Sequence, residues 1–399
     1  MASVKGTIGI LTGGGDVPGL NPAIRAITLR AQREGYRVLG IRKGWEGMIR
    51  IDRDRPVEEQ DYCQVLTGQI VNKVGRTGGT FLHTSRTNPS KVKQNDVPVH
   101  LQKTYAQEIN DLTPEVIQNL DHLGIDHLIP IGGDDTLSYA VRLHREGCPV
   151  VAIPKTMDND VAGTDYCLGF STCVTRTIEL SNQLRTSAGS HERFLVIEAF
   201  GRYAGFTALL PAVAGACNRC LIPEHPFDIE LLAELLSEDR RRNPSQYSSV
   251  IVSEGALFAE GGDRVFEGEE ADAYGHQKLG GIGEQVAARL KHLSSKYNHG
   301  EKVGIISQRL GYLVRSGQPD AIDSIVPVAY GNMALNLLMA GKSGRLVAVR
   351  DGKYKDVDLK EVTASRKRVN IEKHYHTERL RPDYRNFENK PLFIMSCDD

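Results

Sequence analysis

The sequence predicts an α/β protein built on parallel β-sheet, with enough chain for two domains. Short apolar runs typical of buried strands alternate with longer segments of helical periodicity, and this alternation favours parallel βαβ units. Several apolar runs end in glycine or charged residues, which suit the carboxyl ends of parallel strands, where such folds bind ligands. A length of 399 residues allows two separate hydrophobic cores.

The predicted elements follow one another along the chain. Strands are predicted over the apolar runs Thr7–Thr12, Val38–Ile41, His127–Ile131, Val150–Ile153, Phe194–Ala199, Ser249–Val252, Val303–Ser307 and Arg345–Arg350. Helices are predicted over Asn21–Gly35, Pro114–Leu123, Thr136–Arg145 and Asp320–Ala340. The polar stretch Thr87–Asp111 carries two prolines and is predicted to be an insertion or a mobile loop over a site.

The composition argues against two classes of partner. A net charge of −1 gives no global attraction to nucleic acid or to an anionic membrane. Apolar runs stay shorter than the roughly 18–20 residues that span a bilayer. We therefore expect neither nucleic acid nor a membrane as a partner. Residues 1–15 predict a first strand and not a signal peptide, and seven scattered cysteines suit a reducing cytoplasm, where we expect the protein to act.

Two short motifs of possible metal ligands have simpler interpretations. Cys217 and Cys220 form a lone C-x-x-C without a second such pair, so burial as small apolar residues is favoured over a zinc or redox site. His374 and His376 have no third ligand nearby in the sequence and are expected to be exposed.

The glycine-rich turn after the first predicted strand is a candidate anion site. It comprises Thr12–Asp16, of sequence TGGGD, and leads through Gly19 to the helix start at Asn21. Backbone N–H groups and the positive end of a helix dipole can together hold an anion. The turn lacks the Lys-Ser/Thr that closes a Walker A loop, and Pro18 breaks the dinucleotide fingerprint. A tight turn without a ligand is the alternative.

Two acidic segments, Ile131–Thr136 and Pro154–Asp160, each begin at the end of a predicted strand. Their charged residues are Asp134, Asp135, Lys155, Asp158 and Asp160. Carboxylates gathered beside glycines at the ligand-binding edge of a sheet suggest metal-assisted chemistry on a phosphate. Helix caps and turns explain single aspartates equally well, but explain two such clusters at consecutive strand ends less well.

Arginines near strand ends supply a possible complement to these carboxylates. They are Arg86, Arg193, Arg202, Arg309 and Arg315. A guanidinium can grip a phosphate through two hydrogen bonds, although each arginine taken alone is more often part of a surface ion pair.

Six motifs occur in the order typical of the phosphofructokinase family, which the chain resembles over nearly its whole length. They are TGGGDVPGLN at 12–21, GGTFLHTSR at 78–86, IGGD at 131–134, PKTMDND at 154–160, GTDYCLGF at 163–170 and GRYAG at 201–205. A collinear set of this kind is far more specific than any one of its members.

The resemblance implies two Rossmann-like, doubly wound domains interleaved by chain crossing, with the active site in the cleft between them. Residues 1–169 plus about 314–365 would form the donor-binding domain, and about 170–313 plus 366–399 the sugar-phosphate-binding domain. The implied reaction transfers a phosphoryl group to the 1-hydroxyl of fructose 6-phosphate, with Mg²⁺ as cofactor.

The resemblance also implies roles for residues around the transferred group. Asp158 resembles the general base that takes the proton of the sugar hydroxyl, and Asp134 the Mg²⁺ carboxylate. Asp160, Thr156 and Arg202 would support the reacting groups. The donor phosphates would be held by Arg86, Gly13, Gly14 and Gly15.

The sugar phosphate has its own implied residues. They are Arg193, Phe200, Gly201, Glu254, Arg309, Tyr312 and Arg315. Arg193 and Arg315 resemble the clamps of the 6-phosphate, one of which the family usually takes from a neighbouring subunit, so a homodimer or homotetramer is expected. Glu254 resembles the residue that receives sugar hydroxyls. Ile306 stands where the family usually carries an arginine, for which Arg309 is the candidate replacement, and Tyr312 stands where many members carry histidine.

Asp135 and Lys155 stand at two positions where ATP-using members of the family that this chain resembles carry glycine. An aspartate fills space needed by the α-phosphate and ribose of a nucleotide and repels a third phosphate, while a lysine supplies a compact charge for pyrophosphate. The pair resembles the pyrophosphate-dependent branch of the family.

Two other functions stay open at this point. An ion pair between Asp135 and Lys155 would neutralise both charges and restore access for ATP. A sugar-phosphate-binding regulatory protein is the alternative without catalysis, but it would be expected to have lost Asp134 or Asp158. Sedoheptulose 7-phosphate is an open second acceptor.

Overall fold

The computed structural model describes residues 4–262, 264–271 and 277–387, so the predicted end of the second domain, 388–399, lies outside the described residues. The strands in chain order are β1 Thr7–Thr12, β2 Arg37–Ile41, β3 Cys63–Val65, β4 Val92–Lys93, β5 Ile109–Asn110, β6 His127–Gly132, β7 Val151–Pro154, β8 Phe194–Ala199, β9 Arg219–Leu221, β10 Ser248–Ser253, β11 Phe266–Ala271, β12 Gln277–Leu279, β13 Ile305–Arg309, β14 Arg345–Arg350, β15 Lys353–Asp358, β16 Tyr375–His376 and β17 Arg381–Pro382.

Helices cover the faces of the sheets. The α-helices are α1 Leu20–Arg33, α2 Gly44–Ile49, α3 Gly68–Val74, α4 Thr113–His122, α5 Asp134–Arg145, α6 Phe170–Ser190, α7 Phe206–Val213, α8 Ile229–Arg242, α9 Ile282–Tyr297, α10 Ala321–Met339, α11 Glu361–Ala364 and α12 Ile371–His374. Short 3₁₀ turns lie at Val57–Glu59, Gln94–Asp96, Val99–Leu101, Gly311–Val314 and Tyr384–Phe387.

The larger sheet has seven strands in the order β15-β14-β7-β6-β1-β2-β3. Its five central strands run parallel, with Ile8 opposite both Val38 and His127, whereas β3 and β15 pair antiparallel at the edges. The central strands are apolar on both faces because helices cover both sides. Their carboxyl ends therefore share one edge of the sheet.

The smaller sheet has four parallel strands in the order β13-β8-β10-β9. Its strands come from residues 194–309, between the fourth and fifth central strands of the larger sheet along the chain. After β15 the chain returns to the smaller sheet, where the Cys220 N–H donates to the Leu380 carbonyl at 2.9 Å. The α/β prediction is confirmed, and the chain crosses repeatedly between the two sheets.

Most predicted boundaries are correct to within two residues, as is usual where helix and strand ends are assigned. The segment Thr87–Asp111, predicted as an insertion or a mobile loop over a site, contains β4, β5 and two helical turns, so the mobile-loop alternative is wrong. Val92, Val97 and Leu101 are buried there in the core beneath the larger sheet. These three apolar residues, spaced among polar ones, anchor the segment.

Helix α10 is long and apolar enough to span a membrane by length and composition alone. About half of it is buried inside the protein, and it packs against α1, where a Cβ on Gly331 would lie 3.0 Å from Ile27. Its first turn carries the fully buried Asp323. These features describe a core helix.

The Asp323 carboxylate joins α10 to the start of α6. It accepts hydrogen bonds from the Tyr166 hydroxyl at 2.7 Å, the Gly169 N–H at 2.7 Å, and the Thr172 N–H and hydroxyl at 2.9 and 2.6 Å. A buried carboxylate is tolerated when its lone pairs are satisfied in this way. The connection holds the segment that leaves the larger sheet for the smaller one.

Replacing Asp323 with alanine is expected to lower the free energy of unfolding by about 3 kcal/mol or more, because several buried donors lose their acceptor. Denaturant unfolding of Asp323→Ala measures this loss. The matched control is Ser324→Ala, next to it on the exposed side of α10, which should change stability by less than about 0.5 kcal/mol. Equal stabilities of the two variants would contradict the role given to Asp323.

Candidate active site

Loops at the carboxyl ends of the two sheets meet at one place. The loop after β7 contains Asp158, and the loop after β8 contains Arg202. The Arg202 N–H donates to Asp158 Oδ2 at 3.3 Å, which joins the two loops directly. The Arg202 guanidinium is held by the Gln277 carbonyl at 3.0 Å. The predicted site residues of these two segments therefore lie together.

The loop after β7 is shaped by a residue that the sequence interpretation missed. Asn159 is buried and has a φ of 56°, in the left-handed region, which asparagine tolerates better than most residues. Its side chain donates to the Asp165 carbonyl and accepts from the Cys167 N–H, both at 2.9 Å. Thr156 Oγ1 accepts from the Asp158 N–H at 3.2 Å. Asn159 thus fixes the turn that presents Asp158, and the Asp-Asn-Asp pattern was the available signal.

Three carboxylates around this loop have raised pKa values. Burial raises the pKa of Asp158, against the opposing effect of the Arg202 N–H and guanidinium. Burial, and then the charges of Asp158 and Asp134, raise the pKa of Asp160 to about 7. Burial, and then Asp158, raise the pKa of Glu254, which follows β10, to about 8. Asp158 repels both Asp160 and Glu254, and a cation brought near it would relieve the repulsion.

One oxygen of this cluster has no partner. Asp158 Oδ1 is buried, and within the described residues it makes no hydrogen bond. A buried carboxylate oxygen without a donor is unfavourable in a finished structure unless a ligand supplies the donor. The geometry suits a hydroxyl group that approaches Asp158 from the cleft.

The glycine-rich turn is placed differently from the prediction in one respect. The Gly13 N–H donates to the Ile131 carbonyl at 3.0 Å, and the Gly14 N–H to the Ser85 carbonyl at 2.9 Å. These two N–H groups are used within the protein, so the idea that they cradle an anion is wrong. The glycines are needed for close approach: a Cβ on Gly13 would collide with Thr136, and Gly14 has a φ of 78°.

Cations, not N–H groups, give this turn its charge. The buried Lys155 ammonium donates to the Gly15 carbonyl at 2.6 Å. Arg315 lies beside the same glycine and pairs with Asp16 at 2.7 Å. Burial, and then the charges of Arg315 and of the exposed Arg86, lower the pKa of Lys155 to about 8. Like charges this close to one another suit an anionic ligand.

The two aspartates of the first acidic segment lie in the first turn of α5, two residues before the predicted helix start. Asp134 Oδ1 accepts from the Asp135 N–H at 3.0 Å, but the N-cap residue is Gly133, so neither aspartate is the helix cap and both keep a place at the site. Asp134 Oδ2 lies 3.1 Å from Nη2 of Arg366, a residue that the sequence interpretation missed. Arg366 is more than two hundred residues away along the chain, and no local signal identifies it.

Asp134 and Asp135 open onto a cavity of about 530 Å³. The remaining lining residues are Ser138, Val362, Thr363, Ser365, Arg366 and Arg368. The segment that includes Arg366 is tied to the site loop, because the Lys367 N–H donates to the Asp160 carbonyl at 3.1 Å.

The predicted Mg²⁺ fits the chemistry of this site. Its carboxylate oxygens are the hard ligands that Mg²⁺ prefers, and their mutual repulsion calls for a cation. Among the residues that the structure describes, no group of three His, Cys, Asp or Glu side chains is arranged to hold a metal. Mg²⁺ is commonly bound through one or two carboxylates, with substrate phosphates and water completing its shell, and Asp134 suits that mode.

On the smaller sheet, Gly201 and Arg309 have structural contacts that limit their predicted roles. Gly201 has a φ of 126° and accepts from the Gly255 N–H at 3.1 Å, which brings the loops after β8 and β10 together around Phe200 and Glu254. Arg309 pairs with Glu198 at 3.2 Å.

Arg309 cannot simply replace an arginine at Ile306. Residues three apart in a strand point to opposite faces of the sheet, and both lie in β13. The sequence left open whether Arg309 takes the place of the missing arginine, and the opposite orientation of the two positions argues against it. Tyr312, in the next turn, is 64% exposed, and Arg315 stacks on its ring at 4.6 Å.

Arg193 does not join the other predicted residues within this chain. It precedes β8, whereas Gly201 and Arg202 follow β8, and six strand residues at about 3.3 Å each separate the two ends by roughly 20 Å. Its side chain lies against Gly304, at the same amino-terminal edge of the smaller sheet. A role for Arg193 in the site of its own chain is therefore excluded, and a role in a neighbouring subunit stays a prediction.

The C-x-x-C pair and the two histidines, which the sequence did not favour as metal ligands, are only partly as expected. Cys217 and Cys220 are buried, as expected, and burial raises the pKa of both thiols. His374 is also buried, so the expectation that it is exposed is wrong. It ends the short helix α12, which packs its side chain inward near β16.

Replacing Glu254 with glutamine is expected to stabilise the ligand-free protein at pH 8. The raised folded-state pKa means that the favourable contribution of protonated Glu254 is complete below its ordinary pKa of 4.5 and is lost as the pH rises through about 8. Glutamine removes that loss. The free energy of unfolding is therefore expected to rise by about 2–4 kcal/mol at pH 8, and the difference from the wild type shrinks as the pH is lowered.

Denaturant unfolding across this pH range, without divalent cation, measures the difference. The matched control is Glu301→Gln, a change at an exposed carboxylate, which should show little pH-dependent gain. A Glu254→Gln variant that is less stable than the wild type at pH 8 would contradict the electrostatic description of the cluster.

Comparisons with known proteins agree with this geometry. Residues 7–338 match the family described as PFK, phosphofructokinase. The chain is 37% identical over 373 residues to the pyrophosphate--fructose 6-phosphate 1-phosphotransferase of Amycolatopsis mediterranei, which covers 93% of this chain and 98% of the relative. It is 34% identical over 367 residues to the ATP-dependent 6-phosphofructokinase of Corynebacterium efficiens, covering 92% of this chain and 96% of the relative.

A solved structure supports the fold. The pyrophosphate-dependent phosphofructokinase from Nitrosospira multiformis superposes with a TM-score of 0.73 at 17% identity, over 95% of this chain and 89% of that chain. The family predicted from the six motifs is confirmed, and the chain belongs to the phosphofructokinase family of phosphotransferases.

Proposed function

We propose that this chain transfers a phosphoryl group from pyrophosphate to the 1-hydroxyl of fructose 6-phosphate, reversibly, giving fructose 1,6-bisphosphate and phosphate. The observation that carries the proposal is the position of Lys155. Its ammonium lies under the glycine-rich turn, bound to the Gly15 carbonyl, with Arg315 and Arg86 close enough to lower its pKa. Charge that would hold donor phosphates is concentrated at this turn, where a nucleoside is not needed for affinity.

Asp135 supports the same choice of donor. It lies on the wall of the cavity beyond Asp134, and a donor that extended into this cavity past its second phosphate would meet the Asp135 carboxylate. Repulsion between two like unit charges about 4 Å apart is on the order of several kcal/mol at an effective dielectric constant near 20. The alternative in which Asp135 neutralises Lys155 is not supported, because Lys155 instead donates to Gly15.

Asp158 is the group that this proposal assigns as general base. Its unpartnered Oδ1 would accept the proton of the sugar 1-hydroxyl, while Oδ2 stays bound to the Arg202 N–H. Burial beside Asp160 and Glu254 raises the pKa of these carboxylates and so makes them better proton acceptors. Thr156 and Asp160 would hold the loop, and the Arg202 guanidinium would face the transferred group.

Asp134 would hold the Mg²⁺, which when bound neutralises phosphate charge as it develops in phosphoryl transfer. The sugar phosphate would lie against the loops of the smaller sheet around Phe200, Gly201 and Glu254. Arg315 is placed by its contacts nearer the donor turn than we expected, so it would lie between the two phosphate groups. Arg193 would serve the site of a neighbouring subunit, in a homodimer or homotetramer.

The domain limits and the location of the protein are also proposals. We assign residues 1–169 plus about 314–365 to donor binding and about 170–313 plus 366–399 to sugar-phosphate binding. The separate sheets support this division, although residues 365–369 contact the donor side through Arg366. We also propose a cytoplasmic location, which is supported by cysteines that are free, and mostly buried, among the described residues.

ATP is the second candidate donor. Relatives named ATP-dependent 6-phosphofructokinase are 34–35% identical to this chain, and the cavity beside Asp135 has room for further groups. The deciding experiment is a coupled assay of the wild-type protein with fructose 6-phosphate and Mg²⁺, comparing pyrophosphate with ATP. We expect pyrophosphate to be preferred by at least about a hundredfold in kcat/KM, which corresponds to ~2.7 kcal/mol.

The double variant Asp135→Gly, Lys155→Gly is expected to lose at least about tenfold in kcat/KM with pyrophosphate and to gain measurable use of ATP. The same coupled assay measures both rates. The control is Asp351→Gly, Lys353→Gly, which removes one exposed charge of each sign where Asp351 already has a left-handed φ of 52°. An unchanged donor preference in the double variant at Asp135 and Lys155 would contradict the proposed donor selection.

Replacing Asp158 with asparagine is expected to lower kcat by roughly 10²–10⁴-fold, because the base is lost while the oxygen that accepts from Arg202 is kept. Initial rates give kcat, and calorimetry with fructose 6-phosphate shows whether sugar binding is retained. A near-normal kcat would exclude Asp158 as the base. A lost kcat together with lost sugar binding would also contradict the assignment, since asparagine is expected to leave the sugar site intact.

A further inference from the structure

Arg366 forms an ion pair with Asp134, the carboxylate that the proposed function assigns to Mg²⁺. Its Nη2 lies 3.1 Å from Asp134 Oδ2, and both side chains are about one-third exposed. A guanidinium at this distance uses the same oxygen that a divalent cation would need. Arg366 and a cation therefore compete for Asp134 unless a further anion joins them.

The position of Arg366 is determined from two sides. Its backbone pairs with Val161 in an antiparallel bridge, next to the Lys367 N–H that donates to the Asp160 carbonyl. Its guanidinium Cζ lies 4.0 Å from the ring of Tyr203, and Arg264 lies 4.5 Å from the same ring. Tyr203 follows Arg202, so the stack links Arg366 to the loop that contacts Asp158.

Lys367 strengthens this attachment. Its buried ammonium donates to the Thr164 and Asp165 carbonyls at 2.9 and 2.8 Å. The backbone of the segment is thereby fixed to the loop after β7, while the end of the Arg366 side chain faces the cavity of about 530 Å³ beside Asp134. The guanidinium has room to change partners without movement of its backbone.

Charge decides which partners are compatible. A guanidinium and a divalent cation on one carboxylate repel each other. A diphosphate carries enough negative charge to hold both, since arginine grips phosphate oxygens through two hydrogen bonds and Mg²⁺ is readily completed by phosphate oxygens. The cation and the diphosphate are then expected to bind together more favourably than either binds alone.

We propose that Arg366 couples binding of the divalent cation to binding of the diphosphate. This proposal rests on the donor and metal assignments of the proposed function. Without a diphosphate, Arg366 holds Asp134 and opposes binding of a divalent cation. When the cation arrives with a diphosphate, Arg366 leaves Asp134 and binds a phosphate oxygen. Arg366 is thus a donor-binding residue that makes the site select the metal-diphosphate complex over the free metal.

The test measures binding, not turnover. Mn²⁺ affinity is measured by electron paramagnetic resonance of free Mn²⁺ without diphosphate, and affinity for methylenediphosphonate with Mg²⁺ is measured by calorimetry. For Arg366→Met we expect Mn²⁺ to bind about fivefold more tightly and methylenediphosphonate at least about fivefold more weakly. These opposite signs distinguish coupling from a structural role, which would weaken both.

The matched control is Arg368→Met, in the same segment and lining the same cavity, whose charge acts on Glu224. It should change Mn²⁺ affinity by less than about twofold. Arg366→Lys keeps a positive charge and should keep Mn²⁺ affinity near that of the wild type, whereas Arg366→Gln removes the charge and replaces the methionine variant if that one does not fold. Unchanged or weaker Mn²⁺ binding by the charge-removing variant would overturn the proposal. The Mn²⁺ measurement uses no phosphoryl donor, so a wild-type preference for ATP would sink the proposed function without affecting this result.

Discussion

Repulsion among buried carboxylates is the constraint on which the rest of the site depends. Asp158, Asp160 and Glu254 lie where the carboxyl ends of the two sheets meet. Burial raises the pKa of each, and the charge of a neighbouring carboxylate raises it further. Backbone hydrogen bonds hold them there: Asp158 accepts from Arg202, and the Asp160 carbonyl accepts from Lys367. The fold therefore keeps together charges that would separate in water.

The opposite charge is kept a short distance away. Lys155 and Arg315 lie at the glycine-rich turn, where burial, and then the charge of Arg315, lower the pKa of Lys155. The two sets of charges act on each other, since Asp134 favours charged Lys155 and Arg315 favours charged Asp158, but the direct partners of Lys155 and Arg315 are the Gly15 carbonyl and Asp16. A ligand that combines a cation with phosphate groups would satisfy both clusters at once, which is the composition of a metal-phosphate donor.

Elements with local causes could be predicted from the sequence, and contacts between distant segments could not. The strands Thr7–Thr12 and Phe194–Ala199 follow directly from continuous apolar runs bounded by glycine or arginine. Asp134 was placed near the site but not in a helix, because an aspartate suits both a cap and the first helical turn. Arg366 could not be found, since its relation to Asp134 arises only when the chain returns from the second sheet.

For the site residues too, the sequence could not predict contacts that depend on the folded arrangement of the chain. A strand reverses the face of its side chains at each residue, so the substitution of Arg309 for an arginine at Ile306 fails on geometry that becomes visible once the strand bounds are known. The glycines at 13 and 14 were predicted to hold an anion through their N–H groups, but the partners of those N–H groups, Ile131 and Ser85, lie far along the chain. Sequence patterns indicate which chemistry is present, whereas the structure decides which groups remain available for it.

The use of these two N–H groups within the protein has a consequence for donor selection. With the Gly13 and Gly14 N–H groups bound within the protein, phosphate affinity at this turn would depend more on side chains, and Lys155 is fixed beside it. In the proposed function, Asp135, which lines the cavity with Asp134, would limit how far a donor can extend. Removing Asp135 alone would open space without supplying the contacts a nucleoside needs, and removing Lys155 alone would lower phosphate affinity for every donor. The proposed donor selection therefore requires attraction at one end and exclusion at the other, and it depends on the pair and not on either residue alone.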